Sequence, residues 1–184
     1  MSIDKLLGGT TMTYLEKCAI VIEEICKKIE PEKNGKKMIQ KLLYLIERKG
    51  VNLDLGYSIH YFGPYSSKLD NALHTLENMG VIEIDTSGMT HVIKPGENPI
   101  GDEGNELAQD VQEKINYVID HFLGKSALEL EAITTLDYAA TQILDETASD
   151  EDIIEQVIKI KGTKFSKEYL KKELKLLKET NYLN

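Results

Sequence analysis

Four histidines and two cysteines are the side chains of this sequence best suited to binding a metal or moving protons. The histidines are His60, His74, His91 and His121. None of them lies at a metal-ligand spacing from another histidine, a cysteine or a carboxylate. Cys18 and Cys26 fall in one predicted helix about 12 Å apart, which is too far for a disulfide. We therefore expect reduced thiols, no metal and no other cofactor.

A serine follows a tight turn at Gly63-Pro64 and invites comparison with a hydrolytic triad. Ser66 has His60 and Asp70 nearby in sequence, which are the right residue types for nucleophilic catalysis. Ser66 also directly precedes a leucine-spaced segment, where a serine typically caps a helix. The sequence has no nucleophile elbow, phosphate-binding loop or dinucleotide-binding glycine motif. We therefore predict a helix cap, no catalytic residues and a protein that is not an enzyme.

The most distinctive segment is rich in aromatic residues and reads GYSIHYFGPYSS from residue 56 to residue 67. One interpretation is core packing, with alternate aromatics joining a strand to the helices on either side. The other is a groove for a protein partner, because tyrosines are common anchors at interfaces. The candidate partner-binding residues are Tyr57, Tyr61, Phe62, Gly63, Pro64 and Tyr65.

The elements that must position this segment follow the order helix, strand, helix, strand, turn, strand, which is typical of a winged helix. Apolar residues three and four apart predict helices from a Thr13 cap to about Ile29, from Lys36 to Lys49, and from a cap at Ser66 or Ser67 to Met79. Alternating residues predict strands at 57–61, 81–84 and 89–93. We expect them to form a small three-stranded antiparallel sheet, with a break at Gly63-Pro64.

The second half of the chain has only helical patterns. Apolar spacing begins at Leu107, and Ser126, Ser149 and Ser166 each precede a predicted helix as its cap. A polar, glycine-containing stretch over 95–104 marks the boundary between the halves. We predict a mainly α (α+β) fold with a flexible leader at 1–13, a winged-helix-like domain at 14–95 and a helical subdomain at 96–184.

Charge is distributed unevenly along the chain. The net charge is −9 and the pI is about 5.0, but residues 1–95 are neutral overall (12 Lys and Arg against 12 Asp and Glu). Residues 96–158 carry 2 basic against 16 acidic residues, and residues 159–184 carry 8 against 3. We expect the basic tail to pack near the acidic block, either within one chain or across a dimer formed by the C-terminal helices.

A winged-helix regulator that binds DNA is the alternative to a protein-binding role. The DNA-contacting residues would be Lys36, Lys37, Lys68, Asn71 and His74, together with tail lysines. Overall acidity argues against this alternative, because DNA binding relies on lysine and arginine at phosphates. The predicted hairpin turn at 85–88 also has no basic residue. Nucleic acid therefore ranks second to a protein as the partner.

The sequence also bears on the compartment. No apolar run approaches the roughly 20 residues that span a bilayer. The first 13 residues lack a basic start followed by an apolar stretch, so they do not read as a secretory signal. We expect a cytoplasmic protein without membrane association.

Several motifs together resemble the Panacea (SocA-like) domain family, and they are more similar still to its YwgA-like proteins. These motifs are KLLYLI at 41–46, YSIHYFGPYS at 57–66, leucines at 69, 73 and 76, and GVI at 80–82. LELE at 128–131, TLDY at 135–138 and FS at 165–166 look similar to the second half of the YwgA-like proteins. The resemblance implies an adaptor or antitoxin-like module that grips a protein partner, with no inherited catalytic residues. The long helical second half departs from short Panacea antitoxins.

Overall fold

A computed structural model describes residues 12–30, 33–100 and 107–184 of the chain. Helices account for 61 % of the described residues, and the strands form small antiparallel pairs. The prediction of a mainly α fold with some β structure is therefore confirmed. The predicted leader at 1–13 lies almost entirely outside the described residues.

Three helices in the first half begin within one residue of their predicted starts. They are α1 (Tyr14–Lys28), α2 (Lys36–Arg48) and α3 (Ser67–Asn78). Thr13 and Glu16 form the predicted capping box at the start of α1, and Ser66 caps α3 by accepting from the backbone N–H of Leu69. These caps satisfy backbone donors that a helix leaves free in its first turn.

The predicted three-stranded sheet is wrong, because the described residues form two separate two-stranded sheets. β1 (Ser58–His60) pairs with β2 (Gly63–Tyr65), and β3 (Ile82–Asp85) pairs with β4 (Val92–Pro95). The strand β2 is absent from the predicted strands because proline is excluded from the centre of a sheet, which predicts a break at Gly63-Pro64. Both strands of a two-stranded sheet are edges, however, and an edge strand accommodates proline.

Four α-helices lie in the described residues of the second half. They are α4 (Gln109–Phe122), α5 (Ala127–Tyr138), α6 (Asp150–Lys161) and α7 (Lys167–Glu179). Ser126, Ser149 and Ser166 cap α5, α6 and α7 as predicted. A π-helical turn (Ala139–Ile143) follows α5, so the regular helix is shorter than the predicted one.

α5 is the central helix of the fold. Every residue from Leu130 to Leu136 is buried, and α5 packs against α2, β2, α6 and α7. A helix that is buried on all sides carries no amphipathic stripe. The buried polar residues of α5 therefore need partners inside the fold, and Thr135, for example, donates to the carbonyl of Glu131. Apolar side chains from both halves join one core, in which Ile22 and Leu42 share a cluster with Phe122 and Leu174.

The basic tail packs on the acidic block within one chain. Lys178 on α7 pairs with Asp150 on α6 at 2.7 Å, and Lys167 pairs with Glu151. The expected pairing of tail and acidic block is therefore confirmed, and its intrachain form is the one present. The leucines of α7 face the same chain's core: Leu170, Leu174 and Leu177 are buried. A homodimer through these helices stays a prediction.

Helix length also bears on membrane association. The helices of the described residues are at most 15 residues long, and none of them is long and apolar enough to cross a bilayer.

Candidate functional site

Tyr61 and Phe62 lie at the tip of the β1–β2 hairpin, and we call this pair the aromatic turn. The two side chains are 80 % and 45 % exposed, and their rings meet edge to face with centroids 4.9 Å apart. Gly63 follows with φ +87°, a backbone conformation that favours glycine. A Cβ at Gly63 would lie 2.9 Å from Oγ1 of Thr135 on α5. The hairpin is thus seated closely on α5, and its aromatic tip faces outward.

A cleft of about 610 Å³ opens beside the aromatic turn, and we call it the lysine cleft. α2 supplies one wall, the β1–β2 hairpin and α3 supply the second, and the segment before β4 supplies the third. The lining residues that matter below are Lys36, Lys37, Lys41, His60, Tyr65, Asp70 and His91. Backbone hydrogen bonds fix the third wall on α2, since the N–H of Lys36 donates to the carbonyl of His91 at 2.8 Å. The cleft is open and rich in cationic side chains.

One of the cleft lysines is neutralised by a carboxylate. Lys36 Nζ lies 2.7 Å from Oδ1 of Asp70 on α3, and Asp70 also bonds to the phenol of Tyr65. Burial alone raises the pKa of Asp70, but the hydrogen bond and charge of Lys36 outweigh burial and hold this pKa below its usual range. For Tyr65, burial and the neighbouring Asp70 raise the pKa of the phenol. This side of the cleft is therefore electrically balanced.

Lys41 is a buried cation at the floor of the cleft. The residue is only 3 % exposed, and its Nζ donates to the backbone carbonyl of Pro64. Burial, together with the charges of Lys161 and Lys37, lowers the pKa of Lys41 to about 7 although the charge of Glu131 opposes the change. Near neutral pH, Lys41 thus exchanges between charged and neutral forms.

Glu131 on α5 is the carboxylate nearest to this floor, and it serves two other lysines. Lys161 Nζ is 2.9 Å and Lys164 Nζ is 2.8 Å from Oε1 of Glu131. Glu131 is buried, and burial lowers the pKa of Lys161 although Glu131 partly offsets the effect. Lys161 also donates to the carbonyl of Tyr61, which ties the aromatic turn to the end of α6.

Lys37, like Lys41, is a cleft lysine without a carboxylate partner among the described residues, and it lies nearer to the surface. Among the described residues it makes no ion pair, and its Nζ lies 3.8 Å from the ring centroid of Phe62. Lys164 approaches the same ring at 5.4 Å. A cation over an aromatic face is attracted by the ring quadrupole, but its charge is not cancelled. Positive charge therefore remains at the base of the aromatic turn.

The predicted partner-binding residues fall into different environments. Tyr61 and Phe62 are exposed, Tyr65 lines the lysine cleft, and Gly63 and Pro64 are buried beneath the turn. The structure thus brings five of the six residues together around one hairpin, where the side chains of Tyr61, Phe62 and Tyr65 reach the surface or the cleft.

Tyr57 is the sixth residue and lies apart from the cleft. Its ring packs edge to face on Tyr44 with centroids 5.1 Å apart, and burial raises the pKa of its phenol. The phenol oxygen is buried and has no hydrogen-bond partner among the described residues. Tyr57 therefore contributes to packing between the strand and α2, as the core interpretation of the aromatic segment expected for part of it.

The predicted DNA-contacting residues do not form one cationic surface. Lys36 is paired with Asp70, and Lys68 is paired with Asp54 at 2.7 Å while lying over the ring of Tyr14. The two remaining residues of α3 are Asn71 and His74. Asn71 is exposed, and His74 Nε2 lies 3.2 Å from Lys36 Nζ. Of the lysines in this set on α2 and α3, Lys37 alone has an unpaired ammonium within the described part of the chain.

Ser66 is a structural residue. Its hydroxyl donates to the carbonyl of Leu55 at 2.6 Å and accepts from the N–H of Leu69 at 2.9 Å, so both hydrogen-bonding roles are in use. Asp70 is engaged with Lys36, as described above. The helix-cap interpretation is confirmed, and these residues do not form a triad.

A second polar cluster, the Asp137 network, lies between the opposite ends of α2 and α5. Asp137 is fully buried and accepts hydrogen bonds from Tyr44 Oη at 2.6 Å and from Arg48 Nε at 2.7 Å. A further bond from Arg48 Nη2 at 3.1 Å makes the pair bidentate. Sequence reasoning missed this network because its members are about ninety positions apart and no local pattern links them.

Two further observations concern cofactors and relatives. The described residues contain no group of three or more His, Cys, Asp or Glu side chains that could hold a metal ion. Compared with protein-family models and with curated proteins, the chain matches none.

Proposed function

We propose that this protein is a non-enzymatic interaction module that binds a protein partner at the aromatic turn and the lysine cleft. The observation that carries the proposal is the exposure of Tyr61 and Phe62 on a firmly seated hairpin beside an open cleft. Large exposed aromatics at one place are unusual on a surface that contacts only water, and they are favoured at binding hot spots.

The support beneath the aromatic turn favours recognition with little rearrangement. Gly63 seats the hairpin on α5, and Lys161 bonds to the carbonyl of Tyr61. A contact surface that is already ordered loses less conformational entropy when a partner binds. The resemblance to Panacea-type adaptors and antitoxins agrees with such a role and forms part of the proposal, as do a cytoplasmic location and a winged-helix-like first half.

The DNA-binding alternative has less support in the geometry. Lys36 and Lys68 are matched by carboxylates, and Lys167 and Lys178 of the tail are matched by α6. Phosphate contacts draw on lysines that are free to replace counterions. We therefore rank binding of duplex DNA below binding of a protein.

The experiment is a capture of partners from the native host's lysate on three immobilised forms of the protein. These are the wild type, the double variant Tyr61→Ala/Phe62→Ser, and the control variant Lys175→Gln, whose side chain is 77 % exposed on α7. We expect one stoichiometric protein on the wild type and on the control, and its loss from the double variant. Equal capture by all three forms, or capture by none, would contradict the proposal.

A further inference from the structure

The lysine cleft contains more positive charge than its carboxylates can neutralise. Lys36, Lys37 and Lys41 line it, and Lys161 and Lys164 lie directly behind its floor. Two carboxylates face these five lysines. Asp70 forms an ion pair with Lys36, and Glu131 forms ion pairs with Lys161 and Lys164. Lys37 and Lys41 make no ion pair among the described residues. An open cleft with this surplus attracts anions.

The surplus charge lies beside an apolar surface. Lys37 Nζ is 3.8 Å from the ring of Phe62, and Tyr61 and Met89 project next to the cleft with high exposure. A ligand that fills the cleft can therefore meet an ammonium and an aromatic ring together. A peptide with both acidic and apolar residues suits such a cleft, because a carboxylate can pair with the ammonium while an apolar side chain packs on the ring.

We infer that the lysine cleft recognises an acidic segment of the protein partner, with a Glu or Asp carboxylate at Lys37 and an apolar side chain against the aromatic turn. This inference rests on the proposed function and specifies the chemistry of the partner. The cleft volume of about 610 Å³ suits a segment of a few residues. Lys36 and Tyr65 line the other side of the same cleft, where Asp70 already neutralises the charge of Lys36.

The geometry favours a peptide over a single-stranded nucleic acid. One face of Phe62 is covered by the Lys37 ammonium, and Tyr61 and Phe62 meet edge to face, so the two rings do not form parallel platforms for successive bases. The chain as a whole carries a charge of −9. A long polyanion meets this charge along its length, whereas a short acidic segment meets mainly the local lysines.

The test is a selection of random twelve-residue peptides displayed on phage, followed by affinity measurements on the peptides that are retained. The full-length wild type, Lys37→Gln and Lys175→Gln are used as baits. We expect the wild type and Lys175→Gln to enrich peptides with adjacent acidic and apolar residues. Synthetic versions of these peptides should bind Lys37→Gln about tenfold more weakly in fluorescence anisotropy. Their affinity for the wild type should fall as sodium chloride is raised.

Several outcomes would overturn the inference. They are retained peptides without acidic enrichment, equal affinity for the wild type and Lys37→Gln, or an oligothymidylate of twelve nucleotides that binds more tightly than the best peptide. If a captured protein depends on Tyr61 and Phe62 but the peptides show no acidic bias, the inference fails and the proposed function stands. If acidic peptides bind but the lysate yields no protein partner, the cleft chemistry stands and the proposed function fails.

Discussion

The helices α2 and α5 hold two charged clusters, one at each end of their contact, and the clusters differ in how completely their charges are matched. In the Asp137 network, one buried carboxylate accepts from Arg48 and Tyr44. At the other end, Glu131 faces two lysines, and Lys41 lies near it without an ion pair of its own. The same two helices therefore enclose a closed cluster at one end and an open cationic cleft at the other.

The difference separates stability from binding. The buried carboxylate of Asp137 is matched by a bidentate arginine and a tyrosine, so we expect the Asp137 network to act within the fold. A buried lysine with a lowered pKa costs folding free energy, and it lines a cleft that is open to solvent. We interpret the unmatched end as the functional one, and the predictions below test that division.

The largest expected effect is on stability, at the closed end. Asp137→Ala removes the acceptor from Arg48 and Tyr44, and leaves a half-buried guanidinium without its partner. We expect a loss of about 3–5 kcal/mol in the free energy of unfolding, measured by urea denaturation. Asp120→Ala, an exposed acid on α4, serves as the control and should change stability by less than about 0.5 kcal/mol. A loss below about 1 kcal/mol for Asp137→Ala would show that the network is not a closed structural unit.

Glu131→Gln should destabilise the fold less than Asp137→Ala does, and it should strengthen the binding of acidic peptides. The amide oxygen keeps one acceptor for Lys161 or Lys164, so we expect a loss of about 2–3 kcal/mol. The removed negative charge should also strengthen the binding of acidic peptides to the cleft. Glu155→Gln on the exposed face of α6 is the matched control for both measurements. Weaker peptide binding by Glu131→Gln would argue against an anion-attracting cleft.

Gly63→Ala tests how firmly the aromatic turn is seated. The substitution places a methyl group 2.9 Å from Thr135 Oγ1 and demands φ near +87° from an alanine. We expect destabilisation of about 2 kcal/mol from the backbone conformation and the close contact. The measurement is the melting temperature of each variant by calorimetry. Gly124→Ala is the control, because an added Cβ there meets no atom within 4 Å, so it shows what replacing a glycine by alanine does without a close contact. Equal melting temperatures for the two variants would show that the hairpin does not depend on close packing of Gly63 against α5.

Lys41 should make stability depend on pH. Its folded pKa of about 7 lies below the unfolded value of 10.5, so the unfolded chain binds more protons between these values and stability rises with pH there. From pH 7 to pH 8.5, the contribution is about 1.5 kcal/mol. We limit the pH range to 8.5 because the two cysteines also make stability depend on pH above it. Burial raises the pKa of Cys18 to about 12 and of Cys26 to about 11, whereas unfolded thiols titrate near 9.

The measurement for Lys41 is urea denaturation of the wild type and Lys41→Met at both pH values. We expect the wild type to gain about 1.5 kcal/mol more than the variant between pH 7 and pH 8.5. The surroundings of Lys41 are the carboxylate of Glu131 on α5, the ammonium of Lys161 on α6, and Lys37 on its own helix. An identical pH response in both proteins would mean that Lys41 keeps an ordinary pKa.

The sequence was informative wherever the determinants are local. Caps at Thr13, Ser126 and Ser149 fixed the starts of three helices, because each motif joins residues three apart. Of the first hairpin, the sequence predicted β1 but not β2. The pairing of β2 depends on the backbone conformation of Gly63 and on the position of Pro64 in an edge strand. The split into two sheets depends on tertiary packing, which no local pattern encodes.

The candidate site was predictable in its aromatic part and not in its charged part. Tyr61 and Phe62 stand out in the sequence as a cluster of interface-type residues. The alternating pattern placed Tyr57 with them, although this residue packs on Tyr44 in the core. The surplus of lysines in the cleft arises from α2 and from the end of α6, which are more than a hundred residues apart, so only the folded chain reveals it.

The central claim is that Lys37 serves binding rather than folding, and one measurement tests both halves of it. The urea midpoint of the wild type and of Lys37→Gln is determined with and without a saturating acidic peptide from the selection. We expect equal midpoints without peptide, and a rise on adding peptide for the wild type that is much reduced in the variant, because a ligand stabilises only the state that binds it. A lower midpoint for Lys37→Gln without peptide, or the same rise in both proteins, would contradict the account.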